Sequence, residues 1–197
     1  MTNIDSLLNI DEDIKNEIYQ EIELDSIKLN NKSIELTTFN NCDIKNAAFE
    51  NVLFDKVDFD NCDLSNTKFI ECSFRMCNFN NSKLVGTTIT GCRTTKLTIN
   101  NSLCKYINIV DTKTKELTFK DSDFTESTLF NLELNKTIFD NVNFTKCEIE
   151  EMSLKGIDIS TCKITNIKLN PKTLKGAIID EFQSIDIIRL LDVEIKE

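Results

Sequence analysis

The chain of 197 residues contains no histidine, no tryptophan, one proline (Pro171) and four glycines. Without histidine it lacks the commonest general base and the commonest metal ligand. With so little glycine and proline it cannot make the turns of an ordinary all-β sandwich. No run approaches the roughly 18 consecutive apolar residues of a membrane-spanning helix. Asp5 breaks the start of the chain, and no basic segment followed by an apolar one marks a secretory leader. A cytoplasmic location is expected. Basic residues are also scarce: 23 Lys and Arg stand against 33 Asp and Glu, a net charge of -10. That balance argues against direct binding to nucleic acid or to an anionic membrane. There is neither a nucleophile elbow nor a phosphate loop. No enzymatic activity, cofactor, metal or small-molecule substrate is expected.

What the chain has in plenty is phenylalanine, 13 of its 15 aromatics, and eight cysteines. Both fall into a period of five. Counting every fifth residue from Leu24 to Ile179 gives 32 positions, of which 29 are Leu, Ile or Phe. The exceptions are Thr94, Cys104 and Thr114, and 11 of the 13 phenylalanines lie on this series. A second, smaller series runs two residues earlier, through Cys42, Ala47, Val52, Val57, Cys62 and Thr67. The remaining positions are mostly polar. Neither a helix nor an ordinary strand has this period. Five residues with two facing inward make a short extended side followed by a corner, and four sides close one coil.

A longer period of twenty is visible directly. Thr38-Phe-Asn-Asn-Cys-Asp43, Asp58-Phe-Asp-Asn-Cys-Asp63 and Asn78-Phe-Asn-Asn-Ser-Lys83 repeat one another. Residues twenty apart should therefore stack at about 4.8 Å, and nearly eight coils make a rod roughly 35–40 Å long. These residues resemble the pentapeptide-repeat family over about residues 22–179. The resemblance implies an all-β, right-handed quadrilateral β-solenoid whose ends need caps.

At the N-terminus, residues 1–21, Ile10, Ile14 and Ile18 recur every four, with Asp11 and Lys15 placed as an i,i+4 pair. This spacing predicts a short capping helix near residues 11–20. At the C-terminus, residues 180–197, Asp180 and Gln183 have the spacing of a capping box. Phe182, Ile185, Ile187, Ile188, Leu190 and Leu191 give more apolar surface than one helical stripe needs. Val193 and Ile195 alternate like a short strand. This segment looks like the C-terminal module of Qnr-type and fluoroquinolone-resistance pentapeptide proteins. That likeness implies a twofold homodimer through Phe182, Ile185, Ile188, Leu191, Val193 and Ile195.

Seven cysteines (Cys42, Cys62, Cys72, Cys77, Cys92, Cys147 and Cys162) occupy the small series, and Cys104 the large one. They read as small core hydrophobes. Around Thr94, Cys104 and Thr114 the core thins, which reads first as a packing variant, the alternative being a bulge or twist that shapes a binding surface. Leu97, Ile107 and Leu117 stand on the small series to refill the space.

The coil geometry sorts the charges into columns. Asp43, Asp58, Asp60, Asp63, Asp121, Asp123, Asp140 and Asp158 form a candidate acidic interaction face. A neighbouring corner carries Lys56, Arg75, Lys96, Lys115, Lys136, Lys155 and Lys175, against Glu35, Asp55 and Glu116. Along the chain, residues 1–71 hold 16 acids and 6 bases, whereas residues 72–110 hold no acid and five bases. The resemblance implies a DNA mimic whose partner is a type II topoisomerase, DNA gyrase or topoisomerase IV, with protection from quinolones. Regular carboxylates would replace phosphates against the enzyme's cations. The unbroken register leaves no room for projecting loops, which places the chain nearer the loopless relatives. The other reading is a generic protein-interaction scaffold.

Overall fold

A computed structural model describes residues 13–191. It is a parallel β-solenoid of about eight turns with one short C-terminal helix. Two eight-stranded parallel sheets run along it. In one, eight-residue strands such as Ser33–Asn40, Leu53–Asp60 and Ser73–Asn80 pair in strict register, Ile34 with Phe54 and Phe39 with Phe59. Each long strand bends at its fourth residue and so lines two sides of the coil. We call these the first face (centred on Ile34, Phe54 and Phe74) and the second face (Phe39, Phe59 and Phe79). The third face is joined by single bridges such as Asp43 to Asp63, and the fourth by three-residue strands such as Ala48–Glu50 and Lys68–Ile70.

The corners explain the period. From Asn16 to Gly156 every fifth residue has a positive φ, as in Asn41 (52°), Asn46 (55°), Asn51 (53°) and Lys56 (57°). Asparagine tolerates this left-handed conformation better than other side chains. Asn columns also bond along the rod: Asn51 Nδ2 donates to Asn31 Oδ1 at 2.6 Å, and Asn101 to Asn81 at 2.6 Å. The interior is filled by stacked rings. Phe59 and Phe79 lie 4.7 Å apart with planes 4° from parallel, and Phe54 and Phe74 lie 5.0 Å apart. The separation is the strand spacing itself, so packing and backbone ladder reinforce each other.

One expectation needs correction. Residues 14–20 are not helical: Ile14–Lys15 and Ile18–Gln20 are strands of a further coil. Ile14 pairs with Ile34, and the Tyr19 ring stacks on Phe39 at 5.1 Å. Ile18, assigned to an inward helical stripe, is 62% exposed. Lys15 pairs with Glu35 at 3.0 Å. The five-residue series simply continues upstream, and in-register stacking outweighs the local four-residue pattern. Ile10 and Asp11 lie outside the described residues.

The middle of the rod is a packing variant and not a bend. Strand Arg93–Asn100 pairs in register with Ser73–Asn80 on one side and with Lys113–Lys120 on the other, so the ladder is unbroken around Thr94. Leu97, Ile107 and Leu117 are buried and occupy the space. The ladder is interrupted elsewhere, between residues 132–141 and 152–161.

Candidate functional site

The eight candidate carboxylates lie along one side of the rod. Asp58 and Asp158 precede the core residue of the second face, and Asp60 and Asp140 follow it. Asp121 sits at the corner with the third face, with φ 46°. Asp43, Asp63 and Asp123 share one bridged column of the third face, interrupted by Lys83, Leu103 and Asn143. A shallow groove of about 410 Å³ runs past Asp121, Asp123, Asn141 and Asn143.

Each carboxylate is held by a neighbour. Asn78 Nδ2 donates to Asp58 at 2.7 Å, Asn80 to Asp60 at 2.8 Å and Asn141 to Asp121 at 2.7 Å. Lys45 pairs with Asp43 at 2.7 Å, Lys120 with Asp140 at 3.0 Å and Lys105 with Asp123 at 3.5 Å. Partial burial pushes Asp63 up, but the Ser65 hydroxyl and N–H, with Lys83 and Lys45, outweigh it and hold the carboxyl below its ordinary range. The Ser160 hydroxyl and N–H likewise hold Asp158 low. These two groups are therefore fully ionised at neutral pH. The arrangement fixes carboxylates in position but intersperses them with neutral asparagine, a layer of insulation that sequence columns alone did not weigh.

The basic corner is interleaved in the same way. Lys56, Lys96 and Lys136 occupy the turn between the first and second faces. Arg75 bonds Asp55 at 3.0 Å, and Glu116 lies 4.0 Å from Lys96 and 3.9 Å from Lys136. Four of the five bases in the acid-free belt, Arg75, Lys83, Lys96 and Lys105, reach acids on the flanking coils. The belt works as an internal ionic staple as much as a surface.

The sequence model for a pentapeptide repeat region matches residues 32–109, a segment inside the continuous coil register. That segment is a pentapeptide repeat region. No curated protein matches it in sequence. Among solved structures it is similar to trypsin-treated QnrB1, a plasmid-mediated fluoroquinolone resistance protein. Identity there is 16% over 94% of this chain and 92% of that one, with a TM-score of 0.39. It is also similar to HetL, a pentapeptide repeat protein involved in heterocyst differentiation regulation from the cyanobacterium Nostoc. Identity is 9% over 86% of this chain and 90% of that one, with a TM-score of 0.33.

The pentapeptide-repeat solenoid ends in a cap. Pro171–Leu174 form a 3-10 turn, and the helix α1, Gln183–Ile188, follows. The capping box forms: the Asp180 N–H donates to Gln183 Oε1 at 3.0 Å and the Gln183 N–H to Asp180 Oδ1 at 2.8 Å. Gln183 does more than the sequence suggested. Its Nε2 donates to the carbonyls of Ile159 (2.7 Å) and Cys162 (2.6 Å), closing acceptors at the end of the rod. Ile187 and Leu190 pack on the core. Phe182, Ile185, Ile188 and Leu191 remain exposed, Phe182 by 77%. Val193 and Ile195 lie outside the described residues.

All eight cysteines are buried and free. Cys62 Sγ donates to the carbonyl of Phe39 at 3.2 Å, and burial pushes the Cys77 and Cys147 thiols up to about 12. Among the described residues no three metal-binding side chains converge, and no helix is long and apolar enough to cross a membrane.

Proposed function

We propose that this protein is a non-catalytic, cytoplasmic binding rod that acts as a DNA mimic. Its acidic side docks in the cationic channel of a nucleic-acid enzyme, a type II topoisomerase such as DNA gyrase or topoisomerase IV. The observation that carries the reading is the set of carboxylates held at fixed heights along the second face and its corner by lateral bonds from Asn78, Asn80 and Asn141. Charges fixed before contact lose little freedom on binding and steer a cationic partner from a distance. QnrB1, by its description a fluoroquinolone resistance protein, suggests that protection from such drugs is the outcome to look for. The exposed apolar patch on α1 supports a homodimer that would present two such rods.

A second reading, a scaffold for an uncharged partner surface, is favoured by the pairing of Asp63, Asp123 and Asp140 with lysines. Supercoiling assays with purified gyrase and topoisomerase IV across a salt series separate the two. Salt-sensitive inhibition or quinolone protection, weakened about ten-fold or more by Asp58→Asn with Asp60→Asn, supports the mimic. Binding that ignores salt and both substitutions selects the scaffold.

A further inference from the structure

Among the described residues the solenoid has one open seam. At the preceding coil interface the first face is still bonded, except at the Asn135 N–H: the Thr114 N–H donates to Glu133 O at 2.8 Å, Glu116 to Asn135 O at 2.8 Å and Glu133 to Thr112 O at 3.1 Å. At the following interface Leu154 donates to Thr173 O and Ile159 to Ile178 O. Between them, the N–H groups of Leu134, Lys136, Phe139, Ser153 and Asp158 make no bond across to the neighbouring coil. The sheet accordingly ends at Ile138–Asp140. Asn141 N–H turns to the Thr161 hydroxyl at 3.0 Å instead of a carbonyl. The third and fourth faces of the same two coils stay joined, as in Phe144 N–H to Lys163 O at 2.7 Å and Lys168 N–H to Cys147 O at 2.8 Å. The rod therefore gapes along two faces and is hinged along the other two.

Side-chain size gives the reason. The column two residues before the first-face core runs Lys32, Val52, Cys72, Cys92 and Thr112, then Leu132 and Met152, the one place in this run where two long side chains follow each other. Leu132 is buried and Met152 partly so. Two long side chains in a column built for small ones hold the coils apart. Thr137 shows the consequence. The equivalent Thr37 donates its hydroxyl to Glu35 O at 2.8 Å, whereas Thr137 Oγ1 is buried without a partner.

A cavity of about 330 Å³ opens in the seam, between Thr137–Asp140 on one edge and Gly156, Asp158 and Thr161 on the other. The Ile138–Asp140 edge is a strand, and both edges carry backbone donors and acceptors that no neighbouring coil takes up, a template for pairing with an extended chain. Ile138, 57% exposed, supplies an apolar contact. Charge divides the slot: Lys136 and Lys155 stand toward the first-face end, and Asp140 and Asp158 toward the second.

We propose that the seam takes up an extended segment of a partner protein as an added strand, with an acidic residue toward Lys136 and Lys155, a basic residue toward Asp140 and Asp158, and an apolar one over Ile138. It shares Asp140 and Asp158 with the acidic face but needs neither Asp58, Asp60 nor a dimer, so Asp58→Asn with Asp60→Asn should leave peptide binding unchanged.

Amide hydrogen exchange on the full chain tests it. The probe is a synthetic peptide as long as the strand Lys113–Lys120 (8 residues), alternating valine and threonine, with glutamate at one end and lysine at the other. In the free protein, Leu134, Lys136 and Phe139 should exchange at least about ten-fold faster than Thr114 and Glu116. Peptide should slow them saturably. Leu132→Val with Met152→Cys should close the seam, protect these amides and abolish peptide binding. Asp140→Asn with Asp158→Asn should weaken binding without closing it. The proposal is overturned if those amides are already protected in the free protein, or if the closed variant binds the peptide equally. It is overturned too if protection disappears on removing residues 192–197, which would make the occupant the chain's own end.

Discussion

A single residue in this fold is judged by three things: its corner angle, its hydrogen bonds and its fit in a column. Met76 sits at a corner with φ 51° and is 41% exposed, so neither its backbone nor its side chain gains from the position. Met76→Asn should raise stability by up to about 1 kcal/mol, read from a denaturant midpoint at constant slope. The two core threonines should respond in opposite senses to valine. Thr94 Oγ1 is buried and unbonded, so Thr94→Val removes an unmet hydroxyl and should stabilise by about 1 kcal/mol. Thr114 Oγ1 donates to Glu133 O at 3.1 Å, so Thr114→Val should cost about as much. Equal effects from both would show that core volume, not the hydroxyl, decides. The thiols set an alkaline limit. Burial lifts Cys77 and Cys147 from 9.0 to about 12. The unfolded chain ionises above its ordinary value while the folded one keeps its protons, so stability is full below about pH 9 and falls as pH rises toward 12. Urea denaturation at stepped alkaline pH should show the decline, and Cys77→Ala should flatten it.

Each coil is only as stable as the surface it stacks on, so the last one depends on its cap. Gln183 is buried and carries two bonds to end carbonyls. Gln183→Leu keeps the volume but strands both acceptors, and should cost about 1–3 kcal/mol in thermal or urea unfolding. A loss no larger than that of an exposed substitution would assign the cap's strength to Ile187 and Leu190 alone. This element was half legible in the sequence. The Asp180/Gln183 spacing announced the capping box, but nothing local reveals that Gln183 Nε2 faces Ile159 and Cys162, because those lie a coil away. The first coil was misjudged for a related reason. Ile10, Ile14 and Ile18 offer a helical spacing, and only the stacking of Tyr19 on Phe39 shows which period wins. From Leu24 onward the coil register was legible because it depends on spacing alone. The seam was not, because it depends on how far Leu132 and Met152 push apart two coils whose spacing in sequence is regular. Of the candidate acidic face, the columns could be counted in advance. The bonds from Asn78, Asn80 and Asn141 that pin the carboxylates could not, since they need side-chain direction as well as register.

At the scale of the whole molecule, charge and apolar surface are segregated along the axis. Residues 1–71 hold the acidic excess, and residues 159–197 are balanced with six acids and six bases. The exposed apolar side chains of α1 lie at the balanced end, where two copies can meet without mutual repulsion. A twofold contact through Phe182, Ile185, Ile188 and Leu191 would set the acidic ends farthest apart and make the assembly bivalent. Linked sites gain strength from effective concentration, so dimerisation should matter more to partner binding than any single carboxylate. Phe182→Asp with Ile185→Asp tests this directly. Both side chains are exposed, by 77% and 51%, so circular dichroism and melting should change little. On the proposed dimer and topoisomerase partner, sedimentation should show the native mass halved, and inhibition should weaken by about 10²-fold. A native protein that already sediments as a monomer would remove the dimer. A halved mass with undiminished inhibition would leave one acidic rod as the whole binding unit, with no bivalent contribution.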